Sequence, residues 1–135
     1  MSVIQRKIRL QHFRIKDLNF KIKEFKNSIF NGEVETNFSI NFKIIVPENG
    51  SNTYLIVFKV VIDNTFVDIK LISEAIFETN QAIDEEFLNS NFVRINSPAI
   101  AFPYLRSFIS TLTINAGIPP IVLPAINFTQ IKPEA

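Results

Sequence analysis

The side chains that most often perform catalysis are scarce in this sequence. It has one histidine, His12, no cysteine and three glycines among 135 residues. A nucleophile needs a base within hydrogen-bond reach, and nothing in the spacing around His12 corresponds to a catalytic triad. We therefore interpret His12, which stands close to Arg9 and Arg14, as a surface residue rather than a catalyst.

Two groups of carboxylates have the residue type needed for cation binding or for acid and base catalysis. Asp84, Glu85 and Glu86 are adjacent, but no second acidic group or turn-forming glycine is near them, so the solvated side of a short helix explains them better. Glu33 and Glu35 alternate along a predicted strand and fall on its wet face, where carboxylates usually serve solubility. We expect no metal site and no catalytic site.

Nucleotide and thiol chemistry are also disfavoured. The sequence contains no glycine-rich phosphate-binding motif, and three glycines leave no loop that would cradle a phosphate. The absence of cysteine excludes disulfides, thiolate zinc sites and a cysteine nucleophile. We expect no cofactor, and we interpret the chain as a binding or assembly protein rather than an enzyme.

Basic residues are concentrated near the N-terminus. Residues 1–30 hold eight lysines or arginines and two acidic residues. The basic residues are interleaved with apolar ones, which indicates the solvated face of a strand, and Phe13 and Phe20 have the parity of core residues rather than of a base-stacking platform. We therefore expect no nucleic-acid partner.

No apolar stretch reaches the roughly 20 residues that span a bilayer. The first residues also lack the uninterrupted apolar core of a signal peptide. We expect a cytoplasmic protein without membrane insertion.

An alternation of polar and apolar residues with a period of two predicts four strands in the first 78 residues. Thr53–Asp63 is apolar on both faces and should be central. The short connections after the second strand suggest an antiparallel meander. The four predicted strands are Ile4–Ile22, Val34–Ile44, Thr53–Asp63 and Phe66–Glu78.

The apolar parity of the first predicted strand switches twice. Ile8 and Leu10 lie on one parity, Phe13 and Ile15 lie on the other, and Leu18 returns to the first. A strand keeps its apolar side chains on one face through such switches only if extra residues are inserted. The pattern predicts β-bulges at positions 11–12 and 16–17, in a strand at the edge of the sheet.

Helical spacing dominates the last third of the chain. A short helix is predicted at Gln81–Leu88 and the main helix at Phe102–Asn115, closed by Gly117. The prolines of residues 118–128 exclude a helix there, so this very apolar tail should cover the sheet or the main helix. The sequence predicts one α+β domain, residues 1–135. The small polar side of the main helix, which faces either water or a second helix, consists of Ser107, Ser110, Thr111 and Thr113.

Three segments carry a family resemblance. Residues 102–106 read FPYLR, residues 123–128 read LPAINF, and residues 16–20 read KDLNF. In this the sequence resembles the SecB export chaperones, whose members have F-P-Y-A-R at the start of the main helix, a later P-V-N-F-like segment, and K-D-I-S-F in the first strand. The similarity is strongest over residues 97–128. It implies a SecB-like fold with four antiparallel strands, a crossover and one main helix.

The resemblance implies an ATP-independent holdase that keeps polypeptides unfolded for export. Such chaperones work as a homotetramer, a dimer of dimers, and pass unfolded preproteins to the SecA motor. An apolar groove with polar edges binds unfolded chains without reading their sequence closely. Each side chain assigned to this groove is also a possible ordinary core residue. Carried over by position, the client-binding groove comprises Val34, Thr36, Phe38, Ile76, Phe77, Ile121, Leu123 and Ile126.

The same resemblance assigns two further surfaces. The polar side of the main helix, residues 107–113, would pack between dimers, and the edge strand would pair within each dimer. The motor-docking face would include Asp17, but Lys21 and Lys70 stand where the family pattern has carboxylates. These charge reversals oppose docking of a basic partner, so a chaperone dedicated to an antitoxin is an alternative. A small apolar-ligand carrier, closed by the tail, is the alternative from another class.

Overall fold

The chain forms a four-stranded antiparallel sheet with one long helix across its inner face, which confirms the α+β prediction. The computed structural model describes residues 5–24, 35–47 and 51–134. A π-helical turn, Phe92–Asn96, runs directly into the long helix. The remaining elements are β1 (Ile8–Ile22), β2 (Asn37–Ile45), β3 (Thr53–Asp63), β4 (Val67–Thr79), α1 (Glu85–Leu88) and α2 (Ser97–Asn115).

The order of the strands differs from a simple meander. The sheet order is β1-β4-β3-β2, so only β2, β3 and β4 form a meander, and β1 pairs with β4 instead of β2. Alternation with a period of two specifies which side chains share a face, but it does not specify the neighbouring strand. Three strand spacings, about 14 Å, separate β1 from β2.

Both predicted bulges of β1 are present. The pairing of β1 with β4 shifts between Leu10 and His12 and again between Ile15 and Asp17. Each inserted residue returns the following apolar side chains to the inner face. In the sheet described here β1 lies at one edge, as its pattern predicted.

The core lies between the inner face of the sheet and α2. Tyr54, Ile56 and Phe58 of β3 are fully buried on this face, which confirms that β3 is central. The outer face of β3 is less covered, since Val57 is buried but Val61 is 44% exposed. The inner face therefore carries most of the hydrophobic stabilisation of the chain.

The long helix starts five residues earlier than predicted. Its first turn contains Pro98, and Pro103, which the prediction placed at the helix start, lies inside the helix with an exposed ring. The hydroxyls of Tyr54 and Ser97 are 2.7 Å apart and buried, which ties β3 to the beginning of α2. Burial raises the pKa of Tyr54 to about 12.

The helix α2 ends at Asn115 and is closed by Gly117, as predicted. Gly117 has a φ of 83°, in the left-handed region that favours glycine. The amide of Ile118 donates to the carbonyl of Thr113 at 3.4 Å, and the amide of Gly117 donates to that of Ile114 at 3.2 Å. These two bonds form a Schellman motif, which turns the chain back along the helix.

The short helix α1 begins at Glu85 rather than Gln81. The Asp84 carboxylate caps it by accepting from the amide of Phe87 at 2.8 Å. Glu85 and Glu86 are exposed in its first turn, where carboxylates complement the helix dipole. The three adjacent acids are thus a capped, solvated helix end, as predicted.

The apolar tail packs into the core, as predicted. Ile118, Ile121, Leu123 and Phe128 are buried, and residues 119–127 form neither helix nor strand. The Phe128 ring centroid lies 5.8 Å from those of Phe42 and Phe102 and 6.2 Å from that of Phe58. Phe128 thus joins β2, β3 and α2.

Candidate functional site

The residues of the predicted client-binding groove are distributed over both faces of the sheet. Val34 lies outside the described residues. Ile76 belongs to the outer face, where it pairs in register with His12 and Leu55. The neighbouring Phe77 belongs to the inner face and is fully buried. These two consecutive residues of β4 therefore point to opposite faces of the sheet.

Phe38 and Phe77 share the inner face but lie near its opposite ends. Phe38 pairs with Ile62 of β3, and Phe77 pairs with Tyr54 of the same strand. Eight residues of an extended strand span about 26 Å. Alternation indicates a shared face but not the distance along it, so the assignment of both residues to one client-binding groove stays a prediction.

The remaining groove residues are mostly interior. Ile121 is 6% exposed and Leu123 is 1% exposed, so the structure favours the core interpretation for both. Ile126 is half-buried. Thr36 is also half-buried, and its hydroxyl accepts a hydrogen bond from the side-chain amide of Asn64 at 3.2 Å.

Three partly exposed apolar side chains lie on the two edge strands at one end of the inner face. Leu18 and Ile22 of β1 are 37% and 43% exposed, and Phe38 of β2 is 37% exposed. Between them, Ile69 and Ile62 of the central strands are buried. We call these three residues, Leu18, Ile22 and Phe38, the open end of the inner face. They are apolar surface that an extended polypeptide can cover.

The small polar residues of α2 divide into two groups. Thr113 is fully buried, and its hydroxyl accepts from the amide of Ile121 at 2.9 Å and donates to the carbonyl of Ile109 at 2.9 Å. The Ser110 hydroxyl donates to the carbonyl of Ile121 at 3.0 Å. Thr113 therefore anchors the tail, and its assignment to an interface with another chain is wrong. Ser107 and Thr111 are exposed.

Replacing Thr113 with valine is expected to lower the free energy of unfolding by about 1–3 kcal/mol, because the amide of Ile121 is then buried without an acceptor. Urea unfolding followed by circular dichroism measures the change. Thr111→Val, the same substitution on the exposed side of α2, should alter stability by less than about 0.5 kcal/mol. Equal stability of Thr113→Val and the wild type would contradict the anchoring role.

The exposed side of α2 is more apolar than the sequence interpretation recognised. Ile100, Tyr104 and Ile114 are 42%, 53% and 58% exposed. Ser107 and Thr111, which are also exposed, lie between Tyr104 and Ile114 on the same side of the helix. We call these five residues the outer face of α2. The spacing 100, 104, 107, 111 and 114 was the signal that could have identified it. It combines apolar side chains with small ones that permit close approach of a second helix.

The predicted motor-docking residues do lie together on the outer face of the sheet. Asp17, Lys21 and Lys70 are exposed, and their register places them on neighbouring positions of β1 and β4. Asp68, which pairs in register with Lys21, already has its carboxylate 3.4 Å from the ammonium of Lys23. The two lysines therefore retain a locally positive surface.

Other charges of the outer face are paired. The Glu74 carboxylate, which is mostly buried, lies 2.7 Å from the Arg14 guanidinium and 3.6 Å from the Lys16 ammonium. Lys23 donates to Asp63, and this hydrogen bond holds the pKa of the Asp63 carboxyl below its ordinary value and raises that of Lys23. Because Lys23 and Asp63 are on the surface, salt screens their interaction.

A sheet covered by one helical layer, with apolar side chains exposed on its edge strands and on α2, is typical of a protein that binds or assembles with other polypeptides. Over the ranges the structure covers, none of the helices has the length and apolar character to span a bilayer. The chain belongs to the SecB family, since the family model described as preprotein translocase subunit SecB matches residues 2–133. It is a SecB-like chaperone.

Two individual relatives match most of this chain. An uncharacterized protein of Methanocaldococcus jannaschii is 32% identical over 127 residues, which cover 89% of this chain and 79% of that protein. The protein-export protein SecB of Anaplasma phagocytophilum is 26% identical over 146 residues, covering 95% of this chain and 92% of the relative.

The fold is similar to that of two solved structures. The SecB-like chaperone of Mycobacterium tuberculosis, in complex with a ChAD peptide from the HigA1 antitoxin, has a TM-score of 0.72 at 11% identity and covers 89% of this chain and 91% of its own. A Streptococcus agalactiae protein of unknown function has a TM-score of 0.59 at 15% identity, covering 90% of this chain and all of its own.

Proposed function

We propose that this protein is an ATP-independent holdase that binds unfolded polypeptides through the open end of the inner face. The observation that carries the proposal is the partial exposure of Leu18 and Ile22 on one edge strand and of Phe38 on the other, at the same end of the inner face. Unfolded chains expose apolar side chains of many kinds, and exposed apolar side chains accommodate them without sequence specificity. Binding of this kind needs no catalytic group and no nucleotide.

The proposal includes a homotetramer, built as a dimer of dimers. The outer face of α2 would pack against the same face of a second chain, which removes Ile100, Tyr104 and Ile114 from water. The outer edge of β1 would pair within each dimer. Ser107 and Thr111 are exposed on α2 and would lie at the contact, whereas half-buried Ser110 is directed toward the tail.

The client and the downstream partner define two forms of this proposal. In the first, the protein holds preproteins in the cytoplasm before export and passes them to SecA. In the second form, its client is an antitoxin. This form is suggested by the similar fold of the M. tuberculosis chaperone, whose structure was solved in complex with an antitoxin peptide. Lys21 and Lys70 favour the second form, because they oppose docking of a basic partner. A SecA pull-down distinguishes the two forms.

The apolar-ligand carrier receives less support. The hollows on the outer face of the sheet and beside β2 are open to solvent and have charged residues in their walls. A carrier for a small apolar molecule instead needs an enclosed, mostly apolar cavity. Binding of polypeptides is therefore the better explanation of the exposed apolar side chains.

The holdase function predicts that stoichiometric protein suppresses the aggregation of a chemically unfolded client diluted into buffer without ATP. Light scattering measures the suppression. Phe38→Ser should weaken it severalfold, because this substitution removes a partly exposed ring from the open end.

Val61→Ser is the matched control, since Val61 is also about two-fifths exposed but lies on the outer face. It should suppress aggregation as well as the wild type. Wild-type protein that leaves aggregation unchanged would reject the holdase function. Equal loss in both variants would reject the assignment to the open end.

A further inference from the structure

Four lysines form a diagonal row across the outer face of the sheet. Each lysine is a diagonal neighbour of the next, two residues along the adjacent strand from the position directly opposite. Diagonal neighbours on one face of an antiparallel pair are about 7–8 Å apart, so the row crosses all four strands in even steps. We call these residues the lysine row: Lys43 of β2, Lys59 of β3, Lys70 of β4 and Lys21 of β1.

The positive charge of the lysine row is largely uncompensated. Among residues 5–24, 35–47 and 51–134, the ion pairs do not include Lys21, Lys43 or Lys70. Lys59 lies 3.9 Å from the carboxylate of Glu134, but both side chains are exposed, so this pair contributes little. The row is therefore a source of positive potential on this face.

Most carboxylates of the outer face are already paired with other cations. These pairs are Glu78 with Arg9, Glu74 with Arg14 and Lys16, and both Asp63 and Asp68 with Lys23. Asp17 is exposed and forms no ion pair within the described ranges of the chain. Because Asp17 is a diagonal neighbour of Lys70, it lowers the positive potential at that point of the row.

A row of apolar residues runs beside the lysine row in the same direction. Ile45 of β2, Val57 of β3 and Ile72 of β4 are diagonal neighbours, and Val57 is buried whereas the other two are half-buried. Two open hollows of about 260 and 350 Å³ are lined by residues of both rows and share Lys59 and Ile72. This face therefore offers positive charge and apolar surface side by side.

The spacing of the two rows fits an extended polypeptide. Alternate side chains of an extended chain point to opposite sides, and those on one side are about 6.6–6.8 Å apart. This repeat is close to the step of the lysine row. An extended segment lying between the rows can direct carboxylates to the lysines and apolar side chains to the apolar row, provided that the two kinds alternate in its sequence.

Nucleic acid fits this face less well. Proteins that bind single strands stack the bases on aromatic side chains, and the outer-face positions of the described strands carry none. Asp17 and the paired carboxylates also repel a continuous polyanion. Charge complementarity combined with apolar contact favours a polypeptide.

We propose that the lysine row and the adjacent apolar row form a docking surface for an extended polypeptide segment in which carboxylates alternate with apolar side chains. The inference goes beyond the proposed function, because this surface lies on the opposite face of the sheet from Leu18, Ile22 and Phe38. An acidic partner segment would therefore bind without displacing a client from the open end of the inner face.

The test uses two labelled eight-residue peptides with blocked termini, in which four valines alternate with four glutamates or with four glutamines. Fluorescence anisotropy at low ionic strength measures their dissociation constants. Wild-type protein should bind the glutamate peptide about tenfold more tightly, because each exposed ion pair contributes little but four act together. Raising the salt concentration to about 0.5 M should remove most of this preference.

Three variants locate the binding. Lys43→Gln combined with Lys70→Gln should reduce the preference to about threefold, because half of the row is then neutral. Lys7→Gln combined with Lys132→Gln is the matched control, since it removes the same charge from exposed lysines outside the strands, and it should keep the preference. Asp17→Asn should strengthen binding of the glutamate peptide about twofold, because it removes a like charge beside the row.

Each contrary outcome has a defined meaning. Equal binding of both peptides by the wild type overturns the docking surface and leaves the holdase function intact, because suppression of aggregation is measured separately. An equal loss in the control pair also overturns it, since net charge rather than the row is then responsible. Tighter binding of an eight-nucleotide single-stranded DNA than of the glutamate peptide would overturn the polypeptide partner. If the double variant does not fold, Lys21→Gln takes its place and should lower the preference by a smaller factor.

Discussion

The double variant Ile100→Glu, Ile114→Glu is expected to reduce the mass in solution from about four chains to two. Both side chains are exposed on the outer face of α2, so the substitutions do not open the core. Packing against the same face of a second chain would bury carboxylates in apolar surroundings, which costs several kcal/mol unless they are paired. In a two-fold interface every substitution occurs twice, which doubles the effect.

Size-exclusion chromatography with light scattering measures the mass. Val61→Glu is the control, since it places the same charge at an exposed apolar position on the other face of the sheet. It should keep the mass of the wild type. A double variant that keeps four chains would place the contact elsewhere, and a single-chain wild type would reject the tetramer altogether.

Phe128→Ala is expected to lower the free energy of unfolding by about 3–5 kcal/mol. The ring of Phe128 is 4% exposed and contacts Phe42, Phe58 and Phe102, so its removal leaves a cavity where the tail, sheet and helix meet. Domains of this size are stable by about 5–15 kcal/mol, so the loss is a large share of the total.

Urea unfolding at a fixed protein concentration measures this loss, because assembly makes apparent stability depend on concentration. Val122→Ala is the control, as this tail residue is 67% exposed. It should change stability by less than about 0.5 kcal/mol. A loss below about 1 kcal/mol for Phe128→Ala would show that the tail is not part of the core.

Local patterns in the sequence correctly predicted most structural features that depend on a single strand or segment. The parity switches around Leu10 and Ile15 predicted both bulges of β1, because a strand has only two faces and one of them is buried. The proline-rich tail was correctly predicted to cover the core. The start of α2 was predicted five residues too late, because Pro98 and Pro103 both satisfy the rule for a helix start and the later proline was chosen, whereas Pro103 lies inside the helix.

Structural features that depend on contacts between distant residues could not be predicted from these local patterns. The pairing of β1 with β4 depends on a long-range contact, and alternation within β1 is the same beside either neighbour. Phe38 and Phe77 share parity, yet the register places them near opposite ends of the sheet. Threonine is a residue type that usually lies at the surface. Thr113 is buried here, and its hydroxyl accepts a hydrogen bond from the amide of Ile121, a contact that local patterns do not predict.

The two bulges of β1 also bear on resistance to fibril formation. A protein that exposes apolar side chains and has a 15-residue edge strand is at risk of extending its own sheet indefinitely. Cross-β growth requires flat strands in regular register, and an edge kinked at residues 11 and 16 does not provide such a template. The insertions that keep Leu18 and Phe20 on the inner face therefore have a second effect. They allow the protein to bind aggregation-prone chains without its own edge strand nucleating amyloid.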